Sequence, residues 1–215
     1  MDCVETMDKK DLMKRLSFLV MSDGCLTMHK GCVNASFAMA VSAKNRDFIE
    51  YAARLLDEVG VGYNIVEYAG YKGNKYVRIT SRVHPFLTTM YHRIYVDGRK
   101  LLDPHAFKLF DWEAFSILYM SDGSCSRDIR EKGHNVALNM CRLSYQEQEW
   151  LKKQIKEKLG VEWNVCKCGK YWRLCLLRSS QPRFFSEIKP YLLSSFLYKC
   201  PDGRPLPEGG DIVRP

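Results

Sequence analysis

An apolar run closing on Met-Ser-Asp-Gly is written twice in this chain, as LSFLVMSDG (16–24) and FSILYMSDG (115–123). That duplication constrains the fold more than any other feature, because each copy of an internal repeat is one structural unit. The acids Asp23 and Asp122 stand 99 residues apart in a chain of 215. Serines recur in register inside the two runs, Ser17 and Ser22 against Ser116 and Ser121.

The flanking segments repeat in the same order. After each run comes a stretch of strand character, VNASFAMAVSA (33–43) and NVALNMCRL (135–143). Alternation puts Val33, Ala35, Phe37 and Met39 on one face, and Val136, Leu138 and Met140 on the matching face. An amphipathic helix follows each: 45–60 with the stripe Phe48, Ala52, Leu55, Leu56 and Val59, and 144–160 with Trp150, Leu151, Ile155 and Leu159. Gly60 and Gly160 are natural helix stops. Two hairpins come next, in which Tyr76-Val77-Arg78-Ile79 matches Tyr171-Trp172-Arg173-Leu174. Each half then closes with a proline-started helix, over 84–95 and 181–198. Short turns between strands predict antiparallel sheets. The expected architecture is therefore α+β: two pseudo-symmetric αββαββα repeats, the first with its linker over 1–103 and the second with its tail over 104–215.

A helix with bulky apolar residues all round must be buried. Two such helices related by a repeat are expected to pack against each other, with small serines at the crossing. Asp23 and Asp122 would then emerge together at the helix C-termini, where partial negative charge makes a lone carboxylate unfavourable. A hard divalent cation such as Mg²⁺ relieves that repulsion and leaves coordination positions for water and phosphate. Taken singly, Asp-Gly is an ordinary turn; matched copies ending buried helices point to a site. Lys100 and Lys199 share the 99-residue offset, each following a closing helix. Lysines there can be solvated charges at helix ends, or can stabilise charge developing on a scissile phosphate.

The composition agrees. A net charge of +8 and a pI near 9.0 favour a polyanionic partner. No apolar run is long enough for a bilayer span, and the N-terminal segment does not read as a signal peptide. Nine cysteines without framework spacing read as reduced thiols in an intracellular compartment. Cys25, His29, Cys32, Cys166 and Cys168 faintly suggest zinc spacing, but no fourth ligand falls at a fitting offset.

With these motifs the chain resembles the LAGLIDADG homing endonucleases of the single-chain, two-repeat type. The segments YVDGRKLLDPHAFKLFDWEAFSILYMSDGS and IKPYLLSSFLYKCPDG extend the likeness from residue 11 to about 203. The third motif position, usually small in that family, is Phe18 in one copy and Ile117 in the other. The resemblance implies a saddle of two antiparallel sheets lying in the major groove of double-stranded DNA, with the chain acting as a monomeric pseudo-dimer. It implies Asp23 and Asp122 as metal-binding acids, with Gly24 and Gly123 beside them, and Lys100 and Lys199 as the accompanying basic catalytic residues. Mg²⁺ is the implied cofactor, with Mn²⁺ or Ca²⁺ able to replace it for binding. The implied reaction is hydrolysis of both strands, leaving short 3′ overhangs. An RNA maturase acting on intron RNA, or a DNA-binding protein without cleavage, is the alternative on the same scaffold. No intein splicing blocks are evident, so an intron-encoded or free-standing product is expected.

Strand alternation selects the DNA-facing side chains: Tyr76, Arg78, Thr80 and Arg82 in the first repeat, and Tyr171 and Arg173 in the second, with Lys170 added beside them as a candidate DNA contact. Arg127, Arg130 and Lys132 join them from the hairpin 126–135. Arginine reads guanine edges bidentately, whereas lysine more often positions the backbone.

Overall fold

The computed structural model describes residues 8–70, 73–128 and 133–201. The first repeat begins with α1 (Lys9–Met21), then β1 (Cys25–Thr27) and β2 (Ser36–Ser42). Helix α2 (Arg46–Val59), strands β3 (Tyr63–Ala69) and β4 (Lys75–Ser81), and α3 (Pro85–Ile94) complete it. A small hairpin, β5 (Tyr95–Val96) and β6 (Arg99–Lys100), and a short helix α4 (Pro104–Phe107) lead onward. The second repeat runs α5 (Trp112–Asp122), β7 (Gly123–Asp128), β8 (Gly133–Leu138), α6 (Tyr145–Leu159), β9 (Trp163–Cys168), β10 (Tyr171–Leu176) and α7 (Gln181–Ile188).

The two sheets have the same topology, β1-β2-β4-β3 and β7-β8-β10-β9, and every pairing is antiparallel. Each sheet buries the alternating face expected of it. Phe37, Met39, Val41, Val77 and Ile79 point into the first core, and Val136, Leu138 and Leu174 into the second. Helices α2 and α6 cover those faces, and both stop at a left-handed glycine, Gly60 at φ +73° and Gly160 at φ +67°. Ser144 and Glu147 close a reciprocal capping box on α6.

Helices α1 and α5 pack together at the centre, and every residue from Leu16 to Met21 and from Ala114 to Met120 is buried. The buried apolar residues of both repeats form one continuous cluster. Phe18 is fully buried, with its ring 5.0 Å from Phe107 and 5.3 Å from Phe110, both in the segment that leads into α5. Polar ties run between the repeats at the far end of the pair. Lys14 donates to Asp111 at 2.7 Å, and Arg15 pairs with Glu113 at 2.9 Å.

Three expectations need correction. Val33 is 84% exposed and does not belong to the buried strand face, because the strand starts at Ser36. The closing helix expected over 181–198 ends at Ile188. Pro190 lacks the N–H that would continue the ladder, so the chain goes on as 3₁₀ turns over Lys189–Tyr191 and Ser194–Lys199. Lys100 sits on a hairpin rather than directly after a helix. Its Asp97-Gly98 turn has φ of +49° and +73°, the two positive values a type I′ connection requires.

Candidate active site

The two acids meet where the central helices end and their sheets begin. Asp122 is the last residue of α5, whereas Asp23 lies two residues beyond the end of α1. The Ser121 hydroxyl donates to the Ser22 hydroxyl at 2.9 Å, tying the two helix ends together one residue before each acid. Ser22 in turn donates to the Phe18 carbonyl at 2.9 Å, closing the last turn of α1.

Crowding of like charge sets the electrostatics. Burial first, and then the neighbouring Asp23 carboxylate, pushes Asp122 up to about 6 against the pull of Arg142, Lys100 and Lys199. Asp23 has an open side to solvent, yet burial of its carboxylate raises it too, opposed by Lys199, the Ser121 hydroxyl and Lys100. Two carboxylates at helix C-termini, each held above the usual range, are groups that a cation would stabilise.

Both predicted lysines arrive at these helix ends, and neither is a solvated surface charge. Lys100 donates to the Ser22 carbonyl at 2.9 Å and the Gly24 carbonyl at 2.7 Å. Lys199, only 6% exposed, reaches the carbonyls of Met120 at 2.5 Å, Tyr119 at 3.2 Å and Ser121 at 3.4 Å. Lys199 thereby satisfies orphan carbonyls in the last turn of α5, and Lys100 those of the cap and turn that follow α1. Burial lowers both to about 8, with Arg142 adding to the effect at Lys100.

The glycines serve by lacking a side chain. A Cβ at Gly123 would lie 2.2 Å from the Tyr119 ring and 2.3 Å from its carbonyl oxygen. At Gly24 it would lie 2.6 Å from the Phe37 ring. The Gly24 carbonyl already accepts from Lys100, so one lone pair remains for any cation.

Reasoning from sequence missed two residues of this site. Arg142, in the loop between β8 and α6, donates to the Lys100 carbonyl at 2.9 Å and to the Met21 carbonyl. Asn139 holds the Asp122 carbonyl through its backbone N–H at 2.8 Å and its side chain at 3.1 Å. Neither has a motif, since both act on backbone oxygens supplied by distant parts of the chain.

On the outer sheet faces, Arg78, Thr80 and Arg82 are exposed, and Tyr76 is half-buried against Tyr68, their rings 5.7 Å apart. Tyr171 is exposed with the Lys170 ammonium 5.2 Å from its ring centre, and Arg173 is half-buried. Arg127 is exposed on β7, while Arg130 and Lys132 lie outside the described residues. Register adds Val66 and Tyr68 of β3, opposite Arg78 and Tyr76, as exposed side chains that the sequence did not single out.

The LAGLIDADG DNA endonuclease family model matches residues 18–184. An uncharacterized protein of Methanocaldococcus jannaschii is 26% identical over 200 residues, covering 88% of this chain and 73% of that protein. The structure of the homing endonuclease I-WcaI bound to its DNA recognition sequence superposes with a TM-score of 0.74 at 18% identity, over 89% of this chain and 86% of that one. Variants of the homing endonuclease I-DmoI superpose at 0.53 with 18% identity, over 83% and 95%. The N-terminal LAGLIDADG domain of DUF199/WhiA also superposes at 0.53, with 13% identity over 86% and 84%. These structural likenesses are likenesses of fold.

Proposed function

Because the chain belongs to the LAGLIDADG DNA endonuclease family, we propose that it hydrolyses both strands of a long, non-palindromic duplex site with a divalent metal, leaving short 3′ overhangs. It would work as a monomer, one repeat per half-site. The observation that carries the reading is the meeting of Asp23 and Asp122 at paired helix ends, joined through Ser22 and Ser121.

The donors suit a hard cation. Among the described residues no group of three or more His, Cys, Asp or Glu side chains is placed to enclose a metal. Two carboxylates with nearby carbonyls leave most of an octahedral shell to water and phosphate, as Mg²⁺ prefers. Mn²⁺ and Ca²⁺ take the same oxygen donors. Bound there, the cation would neutralise phosphate charge and acidify a bound water.

The chain's own groups do the positioning. Asp23 and Asp122 would hold the metal at the ends of the central helices. Lys100 places two of its three N–H donors on carbonyls and keeps the third for a phosphate oxygen. Lys199 spreads across three carbonyls and contributes mainly positive potential. Arg78, Arg82, Arg127 and Arg173, with Lys170, Tyr76, Tyr171 and Thr80, would line the DNA-facing surface.

The test uses duplexes selected from a randomised library for tight binding. With Mg²⁺ the protein should cut both strands of the selected site. D23N and D122N should each lose double-strand cleavage by about 10³-fold, the scale of removing a principal electrostatic group, while binding the duplex almost as before. Tight binding with no cutting in Mg²⁺ or Mn²⁺ would instead favour the non-cleaving DNA-binding reading. Stimulated intron splicing that survives loss of both acids would favour the maturase.

A further inference from the structure

The two halves of the site are not built alike. Cys25 pairs with Ala38, and Ser124 with Ala137, so the 99-residue equivalence extends through the strands. It continues to Asn45 and Ser144, the residues preceding α2 and α6. On that register Asn139 falls on Ala40, and Arg142 falls on Ala43. The first repeat thus has alanine at both places where the second carries a side chain that reaches the site.

The carbonyls show what the substitution does. Met120, two residues before Asp122, gives its carbonyl to Lys199 of its own repeat at 2.5 Å. The equivalent Met21 carbonyl is not held by Lys100, which reaches Ser22 and Gly24 instead. Arg142 of the opposite repeat takes it, and its other terminal nitrogen holds the carbonyl of Lys100 itself. One guanidinium therefore clamps the helix end that carries Asp23 to the strand that carries Lys100. A second tie, Arg99 to Glu147 at 2.5 Å, fixes the same hairpin to the start of α6.

We propose that Arg142 is a positioning residue that holds the first repeat's acid and lysine in place from the second repeat, so that its loss slows one strand cut far more than the other. The inference rests on the endonuclease reading. The Lys199 cluster is internal to the second repeat and would keep its geometry without Arg142. A misplacement of about 1 Å at a reacting centre can cost on the order of 10²-fold in rate.

The experiment follows a supercoiled plasmid carrying the selected site, with strand-specific end labels, using the full-length protein and its R142A and R142K variants. R142A should bind the duplex within a few-fold of the parent and accumulate nicked circle. The ratio of the two strand rates should shift by roughly tenfold or more. R142K keeps the charge but cannot span both carbonyls, so it should show a smaller bias toward the same strand. It also reports if R142A does not fold. A loss of stability alone lowers both cuts together. An unchanged strand ratio in the variants, with the parent active, overturns the positioning role. A parent that binds but cuts neither strand overturns the endonuclease reading itself, and this inference with it.

Discussion

At the scale of the residue, Asp122 concentrates the conflict between folding and function. Burial and the neighbouring Asp23 carboxylate push its carboxyl from 3.8 up to about 6, so the folded state binds that proton more tightly than the unfolded chain. The resulting penalty grows as pH rises from about 4 to 6 and is fully present above 6. Lys100 and Lys199, lowered to about 8 from 10.5, act in a separate window. Their penalty is constant below pH 8 and is relieved as pH rises from there. In metal-free thermal melts D122N should therefore exceed the parent at pH 7, with the gap closing toward pH 4. Each kcal/mol recovered should appear as about 2–4 °C in a chain of this size. Ca²⁺ at neutral pH should raise the parent's melting temperature and leave D122N nearly unmoved. A parent and variant that melt together across that range would remove the charge-crowding account.

At the scale of the element, the motif glycines make the ends of the central helices possible. Gly123 has φ −76°, a value open to any residue, so its requirement is space and not backbone freedom. A methyl group there must displace the Tyr119 ring or carbonyl, and Tyr119 is fixed by its hydroxyl bond to the Lys199 carbonyl at 2.8 Å. G123A should cost about 1–3 kcal/mol, the usual penalty of overpacking, read as a lowered denaturation midpoint. It should also lose cleavage by shifting Asp122. Full stability in G123A would mean that the turn relaxes at no cost. The hairpin carrying Lys100 is a different case: Asp97 and Gly98 have turn chemistry, yet the sequence pattern put Lys100 directly after a helix, and both its hairpin and its reach emerged only in the structure.

At the scale of the whole molecule, charge and pseudo-symmetry set how the protein should meet DNA. The chain carries a net charge of +8, and its two sheets of identical topology share one core. A single chain should bind one duplex site, which sedimentation of the complex would report as a one-to-one mass. Affinity should fall steeply with salt: about 6–10 neutralised phosphates correspond to a loss of roughly 10³–10⁵ between 50 and 200 mM. A flat salt response, or a two-to-one complex, would contradict the pseudo-dimer reading.

What the sequence determined by itself was most of what local pattern and repetition govern, Val33 and the segment beyond Ile188 being the exceptions. The 99-residue offset, the apolar runs and strand alternation yielded two α+β repeats, their antiparallel sheets and the pairing of Asp23 with Asp122. Strand burial at Val77, Ile79 and Leu174 followed from the same alternation. What only the tertiary structure decided was how helix ends are satisfied. Arg142, Asn139, Lys100 and Lys199 all act on backbone carbonyls, and every residue carries a carbonyl, so an acceptor of this kind leaves no mark in the sequence. Which cation reaches which carbonyl depends on how two repeats, alike in pattern but unlike at Ala43 and Arg142, come to rest against each other.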